Sequence, residues 1–211
     1  MAIDGYMYFL DYEDGYLASE SQIDFRTEGQ QKEIIQPFQD AFGGKLSGNV
    51  AKDVNGAKKC GLFEIEDYSF DVEQVLNIGS QSSGAGAGKV TFNPFSITRK
   101  IDCSSATMFS NACAGKPFME VGLGLRKSGP SRAGVSGVMF LAFTFKLVAI
   151  KTLSWAHDDE APKETVTFDY GGLHINYLQQ KADGNLVQAP PRGWNRVRSV
   201  AADDVKQFKI V

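Results

Sequence analysis

The stretch TVTFDYGGLHINYLQQ, residues 165–180, alternates apolar and polar side chains in the way a half-buried strand does. Val166, Phe168 and Tyr170 share one face, and the polar residues between them share the other. This period of two belongs to a β-strand and not to a helix. The stretch therefore predicts a long strand, and the glycine pair that begins at Gly171 predicts a bulge or bend within it.

Strand patterns of the same kind recur on the N-terminal side of this stretch. We expect strands in AIDGYMYFL (2–10), GLFEIEDYSFDVEQ (61–74), KVTFNPFSITRKI (89–101), FMEVGLGLR (118–126) and VMFLAFTFKLVAI (138–150). In the second of these, the alternation predicts that Phe63, Ile65 and Ser69 share a face. It is imperfect, as expected for a strand that meets protein on both sides.

One helix is predicted between the strands, over DCSSATMFSNACAGK, residues 102–116. Ser104 or Ser105 is expected as the N-cap, with its hydroxyl bound to a free N–H of the first turn. Gly115 is expected to end the helix in a left-handed conformation. The predicted buried stripe is Met108, Phe109, Ala112 and Cys113. Many strands and one short helix indicate a barrel or sandwich with a helix packed against it.

Two regions depart from this plan. Residues 12–59 are polar and irregular, with a short helix expected from Pro37 to Gly43, and residues 181–211 form an irregular tail. Neither region has enough apolar residues for a core of its own. We therefore expect a single domain over 1–211, with an inserted long loop and a C-terminal tail.

The composition excludes several classes of protein. The 211 residues carry a net charge of −3, so the basic surface of a nucleic-acid-binding protein is not expected. Three cysteines, Cys60, Cys103 and Cys113, form no disulfide framework and no CxxC pair. We expect no membrane span and no cleaved secretion signal, because no apolar run is long enough and the N-terminus lacks a basic region.

The glycine-rich stretch GSQSSGAGAGK, residues 79–89, resembles a phosphate-binding loop only superficially. A P-loop requires a first glycine where this chain has Ser83, and a hydroxyl residue where it has Val90. It also requires a helix after the loop, whereas a strand pattern follows here. We expect the stretch to turn the chain and predict no nucleotide binding by residues 84–89.

Catalytic and metal-binding patterns are weak. His157 lies in a charged turn with Glu160, and His174 is expected on a sheet face. Cys113 fits the buried helix stripe better than a Cys–His nucleophile pair. We expect no enzyme, no metal and no cofactor, although a hydrolase that uses Cys113 or the 157–160 cluster stays a weak alternative.

The ordered set of motifs resembles the Hcp family, the tube proteins of bacterial type VI secretion systems. The segments that carry the resemblance are MAIDGYMYF (1–9), EIEDYSFDVEQ (64–74), GKVTFNPFSITRKID (88–102), SSATMFSNACAGKPFMEVGLGLRKSG (104–129), DDEAPKETVTFDYGGLHINYLQQKADG (158–184) and GWNRVRSV (193–200). No single motif is diagnostic, but the set in this order covers most of the chain and is quite specific.

The resemblance implies a mainly β fold: a tight β-barrel of two packed sheets with one short flanking α-helix. It implies a homohexameric ring that stacks into a hollow tube, is driven out of the bacterial cytoplasm by a contractile sheath behind tip proteins, and carries small effector proteins in its lumen. By the same resemblance, the strand around Ser69 lines the lumen.

The insertion at 12–59 is longer than the first loop of the family, and the tail continues past GWNRVRSV. Because Phe38 and Phe42 lie close together in an otherwise polar stretch, we expect them to pack on their own barrel or on another subunit. The alternative function is a non-catalytic β-barrel binding module that uses this long loop as its contact surface.

Overall fold

The computed structural model of the chain describes residues 3–13, 15–20, 51–52, 58–59, 61–77, 86–127, 138–157, 160–181 and 186–203. The strands are β1 (Ile3–Leu10), β2 (Ala51–Lys52), β3 (Lys58–Lys59), β4 (Phe63–Ile65), β5 (Asp67–Ser69), β6 (Val72–Asn77), β7 (Gly86–Phe92), β8 (Phe95–Lys100), β9 (Phe118–Lys127), β10 (Val138–Ala156), β11 (Lys163–Gln180), β12 (Leu186–Gln188), β13 (Arg192–Asn195) and β14 (Val200–Ala201). The helix is α1 (Ser105–Ala114). The mainly β fold with one short helix is confirmed.

The main sheet returns to its starting strand. Antiparallel pairing runs from β1 to β9, β10, β11, β8 and β5. Only Glu66 separates β5 from β4, and β4 pairs with β1. The Glu66 N–H donates to the carbonyl of Thr98 in β8 at 2.8 Å, so the connection stays bonded through the junction. The residues from Phe63 to Ser69 thus join the two ends of the sheet.

Aromatic side chains fill the space that this path encloses. Phe9, Phe95, Phe145 and Phe168 are each no more than 2% exposed, and they belong to one cluster of buried residues. The Phe95 and Phe145 ring centroids lie 4.5 Å apart. Burial of side chains of this size supplies the main stabilising free energy of such a core. The predicted inward face of β11, Val166, Phe168 and Tyr170, is confirmed as buried.

The longest strands, β10 and β11, are neighbours in the main sheet. The first half of β11 pairs with β8 and its second half with β13, while β10 pairs along both halves. A bulge or bend was predicted at the glycine pair, but β11 continues through Gly171 without interruption. The irregularities lie on β10 instead: Leu147 has a φ of 49°, and the register with β11 shifts between Ile150 and Thr152. A side chain at Gly171 would meet the Leu147 Cβ at 3.2 Å, so the glycine makes room for it.

The prediction of one strand over 61–74 is wrong, because this stretch holds β4, β5 and the start of β6. Phe63 is buried, but Glu66 and Asp67 are both exposed, and Tyr68 and Phe70 become the partly buried residues. The bend at Glu66 shifts the alternation by one residue. The shift occurs because the strand leaves β1 and joins β8 at this point.

The predicted strand over 89–101 is two strands, β7 and β8, separated by Asn93 and Pro94. Proline has no N–H to donate to a ladder, which explains the interruption. The strand β7 begins within the glycine-rich stretch, at Gly86, and pairs with β6 in a separate two-stranded sheet. The prediction that a strand follows here, and not the helix that a phosphate-binding loop requires, is confirmed.

The tail after Gln180 is more regular than predicted, because β12, β13 and β14 add to the edge of β11 and β13. The start of the predicted insertion also lies against the barrel. The Leu17 N–H donates to the Phe9 carbonyl at 2.9 Å, and Ser19 Oγ donates to the Leu62 carbonyl at 2.5 Å. The two stems of the insertion therefore lie side by side. The helix expected at 37–43 lies outside the described residues.

Candidate functional site

A row of small hydroxyl side chains runs across the outward side of three neighbouring strands. We name it the hydroxyl face: Ser69 of β5, Ser96 and Thr98 of β8, and Thr165 and Thr167 of β11. Ser69 is directly opposite Ser96, which is opposite Thr167. The Thr98 and Thr165 hydroxyl oxygens are 3.3 Å apart. These side chains are exposed or half-buried, and the exposed Asp67 lies on the same face, opposite Thr98, so the surface is polar.

The aromatic neighbours of Ser69 fix its direction. Tyr68 and Phe70 pack against the core, with the Phe70 ring centroid 5.3 Å from that of Phe143 and the Tyr68 ring centroid 6.2 Å from that of Phe95. Because successive strand residues point to opposite sides, Ser69 points outward. The structure therefore brings Ser69 to an exposed position, together with hydroxyl residues from strands far away in sequence. The alternation of Ser96 and Thr98 with apolar residues was the sequence signal for this face.

A buried ion pair holds the helix to one side of the hydroxyl face. Arg99 and Glu164 form a salt bridge, and they are 1% and 0% exposed, respectively. Arg99 also donates to Ser104 Oγ at 2.8 Å, Ser105 Oγ donates to Glu164 at 3.0 Å, and Trp155 Nε1 donates to Glu164 at 2.9 Å. The pair thus joins β8, β11, β10 and the start of α1. Buried charges persist in proteins when they are paired and hydrogen-bonded in this way.

This ion pair explains why two predictions for the helix are wrong. Ser104 occupies the N-cap position, but its hydroxyl makes no capping bond and instead donates to Asp102 Oδ1 at 2.6 Å. The buried residues of the helix are Ser105, Met108 and Asn111. Of the predicted stripe, only Met108 is buried: Ala112 is half-buried, and Phe109 and Cys113 are exposed. The start of the helix directs Ser104 and Ser105 toward the charges, and Phe109 packs against Trp155, with ring centroids 5.8 Å apart. The left-handed Gly115 is confirmed.

A second polar cluster lies under the start of the insertion. Glu120 forms a salt bridge with Lys146 and accepts a hydrogen bond from Tyr8 Oη at 2.6 Å. Burial, followed by the charge of Glu120, raises the pKa of Tyr8 well above its ordinary value. The same two causes raise the pKa of Tyr16 to about 12. The edge of the Tyr16 ring meets Tyr8, with centroids 5.6 Å apart, so the cluster is a closed structural contact.

The candidate residues for catalysis or metal binding do not form a common site in the described part of the chain. His174 is a buried sheet residue, as predicted, with Nε2 2.9 Å from the Asp203 carbonyl. His157 and Glu160 are exposed in a loop. Among the described residues, no group of three or more His, Cys, Asp or Glu could hold a metal ion. Phe38 and Phe42 lie outside the described residues. No helix in the described part of the chain is long and apolar enough to cross a membrane.

Comparison with known proteins agrees with this architecture. Residues 43–177 match the family model for the type VI secretion system effector Hcp. The protein hcp1 of Pseudomonas aeruginosa is 32% identical over 117 residues, which cover 54% of this chain and 70% of that protein. A match of this extent shows the family. The chain belongs to the Hcp family of type VI secretion tube proteins.

Solved structures confirm the fold at much lower sequence identity. A type six secretion system protein aligns over 95% of this chain and 100% of its own, with a TM-score of 0.67 and 18% identity. Hcp1 from Salmonella typhimurium aligns over 96% of this chain and 100% of its own, with a TM-score of 0.57 and 18% identity. The similarity shows that the strand path described above is an Hcp fold.

Proposed function

We propose that this chain assembles as a homohexameric ring, that the rings stack into the inner tube of a type VI secretion system, and that the tube carries small effector proteins. The observation that supports the proposal most directly is the hydroxyl face, which belongs to a chain of the Hcp family. A lumen wall must be polar and free of bulky side chains if a folded protein is to pass along it. The residues around Ser69 have both properties.

In this proposal the protein has a structural and carrier role without catalysis. It is made in the bacterial cytoplasm and leaves the cell inside a contractile sheath, behind the tip proteins of the machine. The rigid wall fits this role, since the helix is fixed to the barrel by the buried pair of Arg99 and Glu164. A ring closes when each subunit uses two different surfaces to contact its neighbours.

Replacement of Ser69 tests the direction of the hydroxyl face. Ser69→Glu places a longer, charged side chain on that face and is expected to reduce the amount of effector that co-purifies with the ring, without changing the mass of the ring. Ser110→Glu is the matched control, because Ser110 is an exposed serine on α1. If Ser69→Glu and Ser110→Glu retain equal amounts of effector, Ser69 does not face the lumen.

The insertion is proposed to contact another subunit through Phe38 and Phe42. What supports this is that four large apolar side chains, Ile34, Ile35, Phe38 and Phe42, lie within ten positions of an otherwise polar stretch and would lose the free energy of burial if left in water. The double replacement Phe38→Ser and Phe42→Ser is expected to weaken assembly while the monomer keeps its melting temperature. A large fall in the monomer's melting temperature would instead show that the side chains of Phe38 and Phe42 pack on the barrel of their own subunit.

The stems of the insertion favour a second candidate function, a binding module that presents the insertion from a closed barrel. The insertion leaves and returns at one place, since a side chain at Gly61 would meet the Tyr16 Cβ at 3.3 Å. Molar mass separates the two functions: a hexamer supports the tube protein, and a monomer supports the module.

A further inference from the structure

The outward side of β10 and β11 is nearly as inaccessible to water as the side that faces the core. Phe143 of β10 faces the core, so its neighbours Ala142 and Thr144 point outward, and they are 8% and 0% exposed. On β11, His174 and Asn176 point outward by the same alternation, and each is 3% exposed. These values are those of a single subunit. Another part of the same chain therefore covers this outward side.

The outward residues form a row that crosses the sheet from strand to strand. His174 is opposite Gly193 of β13 on one side and Thr144 of β10 on the other. Thr144 is in turn opposite Gly122 of β9, and Gly122 is opposite Tyr8 of β1. We name these five residues the outer row. A side chain at Gly122 would collide with the Tyr8 ring, so Tyr8 closes the row at the β1 end.

The chain itself enters the outer row from the β13 end. The Ala202 N–H donates to the Gly193 carbonyl at 2.9 Å, and a side chain at Gly193 would collide with the Ala202 carbonyl oxygen. The Asp203 carbonyl oxygen then lies 2.9 Å from His174 Nε2. Two consecutive residues of the chain thus contact two consecutive members of the row. The next member in the same direction is Thr144.

Thr144 lies at the centre of the row with an unpaired hydroxyl. Within the described part of the chain, its Oγ1 is buried and has no hydrogen-bond partner. Buried hydroxyl groups in proteins almost always bond to a backbone group, a side chain or water. A backbone that continues from Asp203 brings its own N–H and C=O groups over this hydroxyl. The buried hydroxyl therefore marks a place where an extended segment of chain finds a partner.

The residues that follow Asp203 fit the outer row in length and in composition. Residues 204–211, DVKQFKIV, lie outside the described residues, and we name them the 204–211 segment. Eight extended residues span about 26 Å, whereas the three strand spacings from β11 to β1 amount to about 14 Å. The segment is thus long enough to reach Tyr8. Half of its residues are apolar and lose the free energy of burial if left in water. These are Val205, Phe208, Ile210 and Val211.

The other end of the row is covered from a different direction. Tyr16, near the start of the predicted insertion, packs against Tyr8 with ring centroids 5.6 Å apart. The next residue, Leu17, bonds to Phe9 on the edge of β1 that pairs with β4, because β9 occupies the opposite edge. This path leads away from Thr144, whereas the path of the chain after β14 leads toward it. The described contacts therefore favour the 204–211 segment over the insertion as the cover of Thr144.

We propose that the 204–211 segment lies across the outer row of its own subunit, in contact with β11, β10 and β9. It continues the path of Ala202 and Asp203, bonds to the Thr144 hydroxyl, and covers the outward side of the sheet with its apolar residues. A partner that docks on this side of the barrel then contacts the segment and not the bare sheet. The inference concerns a single subunit and holds whether or not the chain forms a ring.

The test measures how fast a thiol placed in the outer row reacts with a maleimide. Thr144→Cys is made in a chain whose three native cysteines are replaced by serine, since Cys103 and Cys113 are exposed and would react themselves. The labelling rate is compared between the full chain and a chain that ends at Asp203. Removal of residues 204–211 is expected to raise the rate by about tenfold or more, because it uncovers the thiol.

The matched control is Thr152→Cys in the same two chains, because Thr152 is an exposed threonine on the same strand. Its labelling rate should not change when the segment is removed. A cooperative thermal transition shows that the shortened chain is folded. If it does not fold, the full chain with Phe208→Ser and Ile210→Ser takes its place, and it should also speed the labelling of Thr144→Cys.

Three results would overturn the inference. An equally slow rate with and without residues 204–211 would show that another segment, such as the insertion, covers the row. An equally fast rate in both chains would show that the row is open to solvent. Protection that is lost when the full chain is diluted until it is monomeric would assign the cover to a neighbouring copy. None of these results bears on the ring, which is tested by molar mass.

Discussion

Two arginines of this protein have similar partners and different consequences. Arg99 binds Glu164 and lies over the Phe63 ring at 4.6 Å, and Arg196 binds Asp169 and lies over the Tyr170 ring at 4.7 Å. The Arg99 side chain is 1% exposed, whereas that of Arg196 is 23% exposed. The first joins the helix to the barrel, and the second joins the turn between β13 and β14 to β11 and β7.

The different exposure of the two arginines shows how burial determines what an arginine–carboxylate pair contributes. A buried pair of charges has lost its water, so each partner depends on the other, and removal of one leaves an uncompensated charge. A partly exposed pair is screened by solvent and contributes less to stability. We therefore assign Arg99 to the fold of the subunit and Arg196 to the position of the turn between β13 and β14.

The largest effect is expected at Arg99. Arg99→Ala should lower the free energy of unfolding by about 3–5 kcal/mol, because Glu164 stays buried without its partner. Urea denaturation of the purified variant measures this loss. The double variant Arg99→Met/Glu164→Gln should lose less than Arg99→Ala, since it removes both charges. A loss below about 1 kcal/mol for Arg99→Ala would show that the pair is not buried as described.

A smaller effect on stability is expected at Arg196. Arg196→Ala removes hydrogen bonds to two carbonyls and the contact with two aromatic rings, and it should cost about 1–2 kcal/mol in the same urea assay. The loss of unfolding free energy should therefore be smaller for Arg196→Ala than for Arg99→Ala. An Arg196→Ala variant less stable than Arg99→Ala would reverse the roles assigned to the two arginines.

The smallest effect is a pH dependence at Asp169. Burial alone would raise the pKa of this carboxyl, but hydrogen bonds from Arg196 and the Tyr170 N–H, with the charges of Arg196 and Lys151, lower it. A carboxyl with a lowered folded-state pKa stabilises the protein above its unfolded pKa, and that contribution is lost as the pH falls through the folded value. Asp169→Asn should therefore be less stable than wild type at pH 7, by less than about 1 kcal/mol. Urea denaturation at pH 7 and pH 3 should show that the difference in free energy of unfolding between wild type and Asp169→Asn is smaller at pH 3. The same difference at both pH values would exclude this linkage.

The strands were largely predictable because their alternation is local. The inward residues of β11 follow a strict period of two, and the structure buries them as expected. The helix and its terminal Gly115 were also predictable, since capping depends on neighbouring residues. Patterns within about ten residues therefore identified most of the fold.

Features that depend on distant residues were not predictable from local patterns. Arg99 and Glu164 each lie in a polar stretch that is typical of a surface, and only the pairing of β8 with β11 brings them together. That pair rotates the buried side of α1, so Cys113 is exposed where the local pattern placed it inside. The change of face at Glu66 likewise follows from the transfer of one strand between two neighbours.

The hydroxyl face was predicted at one residue only. Ser69 was identified through resemblance to the family, and the structure adds hydroxyl residues from β8 and β11 that lie beside it. No spacing within the chain relates Ser96 to Thr167, because their contact depends on strand register. The direction of this face in an assembly stays a prediction.

The central claim is that the chain forms a six-membered ring, and its molar mass in solution tests that claim most directly. Size-exclusion chromatography with multi-angle light scattering, at tens of micromolar protein, should give a mass six times that of the chain or a multiple of that mass. A single sharp peak at the mass of a monomer or a dimer would contradict the ring.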